Sequence, residues 1–194
     1  MRPALDENHI MMAVVGGDTG KFGILYERYK KPMYGYFFRL TSGDMHISED
    51  LSHQVFVKAL KYKHSFKGTG TFAKWLFSIA HNLGIDYLRK SNRYRSEEYN
   101  AETSIEDAYE MDDIERQENL SLLNSALNSL SDDDREILLL AKIKELKYSE
   151  IAELTGYSET AIKTRVFRAL QRLTKIFKEI QISDYERSRK KTEV

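Results

Sequence analysis

Tyr148-Ser149-Glu150-Ile151-Ala152-Glu153-Leu154-Thr155-Gly156-Tyr157-Ser158-Glu159-Thr160-Ala161-Ile162-Lys163-Thr164-Arg165-Val166-Phe167-Arg168-Ala169 reads as a helix, a tight turn and a second helix. Ile151 and Leu154 fall on one face of the first helix, and Ala152 is small where a second helix crosses closely. Gly156 tolerates a left-handed turn residue, and Ser158 is placed to cap the helix that follows. In that helix Ile162, Val166 and Ala169 form the buried stripe. Ser158, Thr160, Lys163, Thr164, Arg165 and Arg168 are then left at the helix start and on its outer faces, where a recognition helix meets base edges and phosphates. A helical hairpin with a merely solvated basic face would share the apolar pattern, but the coincidence of capping serine, turn glycine and outward arginines favours a DNA-reading helix-turn-helix.

Working outward, Leu120, Leu123, Leu127 and Leu130 begin the helical group that contains this motif, and Ser131 before Asp132, Asp133 and Asp134 marks a further helix start. Upstream, Glu97 to Glu118 holds ten carboxylates against the single base Arg116 and few large apolar residues, the composition of an extended or partly disordered linker. Before it the sign reverses. From Lys58 to Arg95 the one carboxylate is Asp86, set against Lys58, Lys61, Lys63, Lys67, Lys74, Arg89, Lys90, Arg93 and Arg95, a local excess that attracts phosphate. Overall, 30 basic residues balance 30 acidic ones, so affinity for nucleic acid must come from this distribution and not from net charge.

The N-terminal half is also helical in pattern. Phe22, Leu25, Tyr26, Tyr29, Met33 and Phe37 recur at helical steps, with Pro32 expected to kink or divide that segment. Ser48 reads as the N-cap of a helix carrying Leu51, Val55 and Ala59 to about Lys63. After a loop at Phe66 to Thr71, Thr71 can cap a helix from Phe72 to about Lys90 whose stripe is Trp75, Leu76, Ile79, Ala80 and Leu83. The fold class expected is all-α: two small helical domains joined by an acidic flexible linker, over residues 9–95, 96–118 and 119–181, with a charged tail over 182–194.

Composition excludes several classes. With no cysteine there are no disulfides or thiolate metal sites, which suits a reducing cytoplasm. No stretch approaches the roughly 18 apolar residues of a membrane helix, and a secretion signal is not evident, so a cytoplasmic chain without membrane insertion is expected. His9, His46, His53, His64 and His81 lack metal-ligand spacing, there is no nucleotide-binding glycine fingerprint, and no Ser/His/Asp set can be nominated. Neither enzyme activity nor a cofactor or metal is expected.

Leu127 through Leu173 resembles region 4 of the sigma-70 family of RNA polymerase sigma factors. Ser48-Glu49-Asp50-Leu51-Ser52-His53-Gln54-Val55-Phe56-Val57-Lys58-Ala59 resembles region 2.2 of the same family. Phe66-Lys67-Gly68 with Phe72, Trp75-Leu76, Ile79-Ala80, Asn82, Asp86 and Arg89-Lys90 resembles regions 2.3 and 2.4. Two matches in this order, joined by a linker and without the family's other regions, point to the extracytoplasmic-function group. One departure is His53, where the family usually carries glutamine; Gln54 follows it.

The resemblance implies a promoter-reading initiation subunit without catalytic residues, whose partners are the β and β′ subunits of core RNA polymerase and promoter DNA. An anti-sigma factor often holds group members inactive, and these residues do not show whether one acts here. Asp50, His53, Gln54 and Phe56 are the implied docking residues for the β′ coiled coil; ordinary core packing is the better reading for Leu51 and Val55, and Phe56 is open between the two. Lys67, Gly68, Thr69, Gly70, Thr71 and Asn82 would hold a base flipped from the minus-10 element, since glycines let backbone approach a nucleotide closely. Asp86, Arg89, Lys90 and Arg93 would lie along the same strand, the cations neutralising phosphate. Ser158, Thr160, Lys163, Thr164, Arg165 and Arg168 would read the minus-35 element. Trp75 could stack on a base, but its spacing with Ile79 and Leu83 favours core. The acidic linker is either a strand that imitates nucleic acid in the polymerase channel or a solvated tether.

Two rivals remain at this stage. A helix-turn-helix regulator with an effector domain has no evident use for the basic Lys58 to Arg95 stretch, whereas a second promoter contact does. A pure adaptor would show no salt-dependent DNA affinity in the presence of polymerase.

Overall fold

The computed structural model describes residues 6–95, 122–143 and 146–192, with the side chains of 92–95 and 183–192 outside the description. All regular structure among the described residues is helical. The first group comprises α1 (Glu7–Val15), α2 (Phe22–Leu40), α3 (Met45–Lys61) and α4 (Phe72–Arg95), with 3-10 turns at Thr19–Lys21 and Lys63–Ser65. The second comprises α5 (122–128), α6 (Asp132–Ala141), α7 (Tyr148–Thr155) and α8 (Glu159–Thr192). The acidic linker expected over 96–118 lies outside the described residues.

The first bundle closes around Met11, Leu25, Tyr29, Met33, Phe37, Val55, Phe72, Leu76 and Phe77, all fully buried. Tyr29 meets the ring of Phe72 edge-on, with centroids 5.4 Å apart, a packing worth about 1 kcal/mol beyond the area it buries. Pro32 does not divide its helix: α2 runs through it, and the ring is exposed, so the carbonyl it deprives of a partner is on the side water can reach.

Two helix ends differ from the sequence expectation. The cap of α3 is Asp44, whose carboxylate accepts from the Ile47 amide at 2.9 Å. Ser48 lies a turn inside, fully buried, its hydroxyl shared between Thr41 Oγ1 and the Asp44 carbonyl. An ionised carboxylate at the N-terminus answers the helix dipole better than a neutral hydroxyl one turn later. At the other end of the chain, the helix that begins at Glu159 extends to Thr192 across the expected charged tail, because its Glu, Lys and Arg residues are good helix formers and no glycine or proline stops it.

The expected caps at Thr71 and Ser131 are present: Thr71 Oγ1 accepts from Lys74 N at 3.2 Å and Ser131 Oγ from Asp134 N at 3.3 Å. The second bundle buries Leu127, Leu130, Ile137, Leu138, Leu140, Ile151, Ile162, Val166 and Ala169. Its α6 packs on α2 and its α7 on α4, so the two bundles are in contact.

Candidate nucleic-acid interface

The loop that precedes α4 is fully displayed. Lys67, Gly68, Thr69, Gly70 and Thr71 are all exposed, and Gly68 has φ 70°, a left-handed conformation that a side chain would strain. The loop is held in shape from α1, because the Asn8 amide donates to the Gly70 carbonyl at 2.7 Å while its oxygen accepts from Phe72 N at 2.8 Å. Phe66 is buried beneath it against Phe72 and Trp75, which anchors the exposed residues on core.

Along α4 the apolar stripe of Leu76, Phe77, Ala80 and Leu83 faces inward, which leaves Asn82, Asp86, Arg89 and Lys90 exposed at helical steps along the outside. Arg93 continues that register, although its side chain lies outside the description. Ten residues separate the start of α4 from Asn82, about 15 Å along the axis at 1.5 Å per residue. Trp75 is half-buried and donates its indole N–H to Ser65 Oγ at 3.0 Å, in keeping with the structural role expected for it.

On α3, Asp50, His53 and Gln54 are exposed, whereas Phe56 is 6% exposed and packs edge-on against Phe22 and Tyr26. Phe56 therefore belongs to the core. The apolar residue on the outward face is its neighbour Val57, 65% exposed, followed one turn on by Leu60. Sequence periodicity could have identified Val57, since it lies off the Leu51, Val55 and Ala59 stripe.

In the helix-turn-helix, Gly156 takes φ 76° and closes α7, its amide donating to the Ala152 carbonyl at 2.9 Å. Ser158 caps α8 by accepting from the Ala161 amide at 3.2 Å. Thr160, Lys163, Thr164 and Arg168 are exposed. Lys163 pairs with Glu159 one turn back at 2.7 Å, and Thr164 donates its hydroxyl to the Thr160 carbonyl.

The two arginines differ in setting. Arg165 is drawn back against its own domain: its guanidinium stacks 4.2 Å over the Tyr157 ring and lies 3.7 Å from Asp133 and 3.9 Å from Asp134. Arg168 projects freely, with no ion pair among the described residues. Between them Phe167, absent from the sequence-derived site, is 62% exposed on the outer surface of the helix. An exposed ring amid basic residues is the signal by which it could have been found.

Residues 25–94 match the family model for sigma-70 region 2, and residues 120–173 that for sigma-70 region 4. The chain is similar to the RNA polymerase sigma factor YlaC of Bacillus subtilis, with 31% identity over 154 residues covering 78% of this chain and 88% of that one. It is similar to the ECF RNA polymerase sigma factor BldN of Streptomyces coelicolor, with 32% identity over 185 residues covering 90% and 69%. Among solved structures it resembles the sigma factor RpoE of Bartonella quintana, crystallised with the anti-sigma factor NepR, at a TM-score of 0.66 and 26% identity over 81% of this chain and 96% of that one. With both signature domains in order and relatives of this identity over most of their length, the chain belongs to the extracytoplasmic-function group of the sigma-70 family, as a promoter-recognition subunit of RNA polymerase and not an enzyme.

Proposed function

We propose that the chain divides its promoter reading between a unit over residues 9–95 and a unit over 119–181, tethered by the acidic segment 96–118. In the first unit, Asp50, His53 and Gln54 dock on core polymerase with Val57 beside them. Lys67 to Thr71 and Asn82 receive an unstacked base of the minus-10 element, and Arg89, Lys90 and Arg93 track the phosphates of the same strand while Asp86 lies among them. In the second unit, α8 enters the major groove at the minus-35 element through Ser158, Thr160, Lys163, Thr164 and Arg168, with Arg165 helping to set the helix in place. The observation that carries this reading is the pair of separate, solvent-facing surfaces, one a glycine-bearing loop continuing into a basic helix face and the other the outer face of a capped recognition helix.

The site of action is the cytoplasm, a reading supported by the family and by the observation that none of the described helices is long and apolar enough to cross a membrane. By analogy with the RpoE and NepR complex, an anti-sigma factor is a further partner of this chain. The test is transcription in vitro with purified bacterial core polymerase and a genomic fragment library, with and without the protein. Transcripts that start only in its presence, downstream of a shared two-part sequence, are expected. With active core enzyme from the same species, the absence of new starts would overturn the assignment.

A further inference from the structure

The first helix, α1, lies ahead of residue 25, where the match to sigma-70 region 2 begins, so its part in the molecule is read from its own contacts. Ile10, Met11 and Val14 bury one side of it in the first bundle. At its start, Glu7 accepts from the Arg28 guanidinium at 2.5 Å on one carboxylate oxygen and from the Tyr29 hydroxyl at 2.7 Å on the other. At its end, Lys63 donates to the Val14 carbonyl at 3.1 Å. These contacts fix α1 on α2 and on the turn that follows α3.

From that base, one face of α1 meets the loop of residues 67–71. Asn8 and Met12 are four residues apart and therefore share a face. The Asn8 amide group, donating to the Gly70 carbonyl and accepting from Phe72 N, grips the backbone on both sides of Thr71, the residue whose hydroxyl caps α4. Only a side chain with a donor and an acceptor at the same reach can make both bonds. One turn on, Met12 is 44% exposed, and its Sδ lies 3.5 Å from the place a Cβ on Gly68 would occupy. The missing side chain at Gly68 thus leaves the thioether against the loop backbone and open to solvent. Lys67 to Thr71 offer a base hydrogen bonds and one charge, but no large apolar surface. Met12 supplies it, and a polarisable thioether packs well on an aromatic ring.

We propose that α1 is part of the minus-10 base site: Asn8 is a positioning residue that sets the loop, and Met12 is the apolar wall on which the unstacked base packs. The inference rests on the assignment of residues 67–71 to minus-10 DNA. A base drawn from the stack gives up its ring contacts and is held best where an apolar side chain replaces them. Without Asn8, the Gly70 carbonyl and the Phe72 amide lose their partner, and the two glycines open other conformations to the loop. Base selection then weakens although every loop residue is still present.

The test uses the full chain assembled with core polymerase. The probe is the single-stranded non-template minus-10 strand of a promoter mapped by the transcription experiment, with each base in turn replaced by an abasic site. One position should stand out in the wild type as the costliest to strip. Asn8→Ala and Met12→Ala should each shrink that penalty about fivefold, the worth of one hydrogen bond or a small apolar contact, and leave the other positions and binding to minus-35 duplex as they were. Met12→Leu, which keeps the apolar bulk, should restore the penalty. A purely structural role would instead lower the melting temperature and weaken every oligonucleotide in proportion. That uniform weakening, or a profile unchanged in both alanine variants, would overturn the role of α1. Gly68→Ala, which strains the loop itself, separates the two levels of the reading. If it flattens the profile while the α1 variants do not, the loop assignment stands and the inference about α1 falls. If no variant changes the profile, or no position stands out in the wild type, the assignment of residues 67–71 falls and takes the inference with it.

Discussion

Arg165 and Arg168 are three residues apart on one helix, and sequence alone gave them the same role. Packing separates them. The Arg165 guanidinium is held by Tyr157, Asp133 and Asp134, so it ties α8 to the start of α6, whereas Arg168 and the neighbouring Phe167 are free to face a groove. Arg168→Ala should therefore weaken binding to the minus-35 duplex by roughly 1 to 3 kcal/mol, read by fluorescence anisotropy, with no change in melting temperature. Arg165→Ala should lower the melting temperature as well. Equal melting temperatures for the two variants would refute the distinction. Asn82, exposed midway along α4, should act later: Asn82→Ala should slow strand opening, followed by permanganate reactivity of the minus-10 thymines, more than it weakens initial complex formation. A proportionate loss in both would remove Asn82 from the melting step. Phe56 shows the limit of reading one residue at a time, since in sequence it adjoins both the α3 core stripe and the docking face, and only the rings of Phe22 and Tyr26 decide between them.

At the scale of elements, most of the fold was legible because helix periodicity and local capping chemistry coincide. Gly156 is the clearest case: a single glycine between two apolar stripes marked the turn, and it sits at φ 76° with no atom within 4 Å of the place a Cβ would occupy. The cost of replacing it is therefore backbone strain alone. Gly156→Ala should destabilise the second bundle by about 1 to 2 kcal/mol in urea unfolding, and Gly156→Asn by less, because asparagine tolerates the left-handed region better. Equal losses for the two would mean that something other than the dihedral angle is at stake. Where caps compete, sequence is less decisive. Asp44 and Ser48 are both good N-cap residues four positions apart, and the choice between them depends on the burial of Ser48 against Thr41, which no local pattern encodes. The length of α8 was hidden for the opposite reason, since a charged segment of good helix formers has the composition both of a solvated tail and of an exposed helix.

At the scale of the whole molecule, the contact between the bundles was not legible, because its members are spread over residues 36, 81 and 136 and each one alone reads as an ordinary polar residue of an amphipathic helix. Their proximity has a consequence that acid–base chemistry can expose. Burial, reinforced by the Glu136 carboxylate 2.9 Å away, pushes the Tyr36 phenol well above its ordinary value of 10.0. In the window above pH 10 the folded chain keeps a proton that the unfolded chain releases, so the folded state binds more protons there and its stability must fall as pH rises. Below pH 10 the contribution of the phenol is fully present, including a hydrogen bond to a buried carboxylate worth about 1.5 to 3 kcal/mol. Tyr36→Phe removes both the bond and the titration. The stability difference between wild type and Tyr36→Phe, measured by urea unfolding from pH 8 to pH 11, should accordingly favour the wild type at pH 8 and shrink steadily above about pH 10, with groups common to both chains cancelling in the difference. A gap that stays constant through pH 11 would mean that the phenol is not confined between the bundles in solution, and that the contact of α6 with α2 does not persist there.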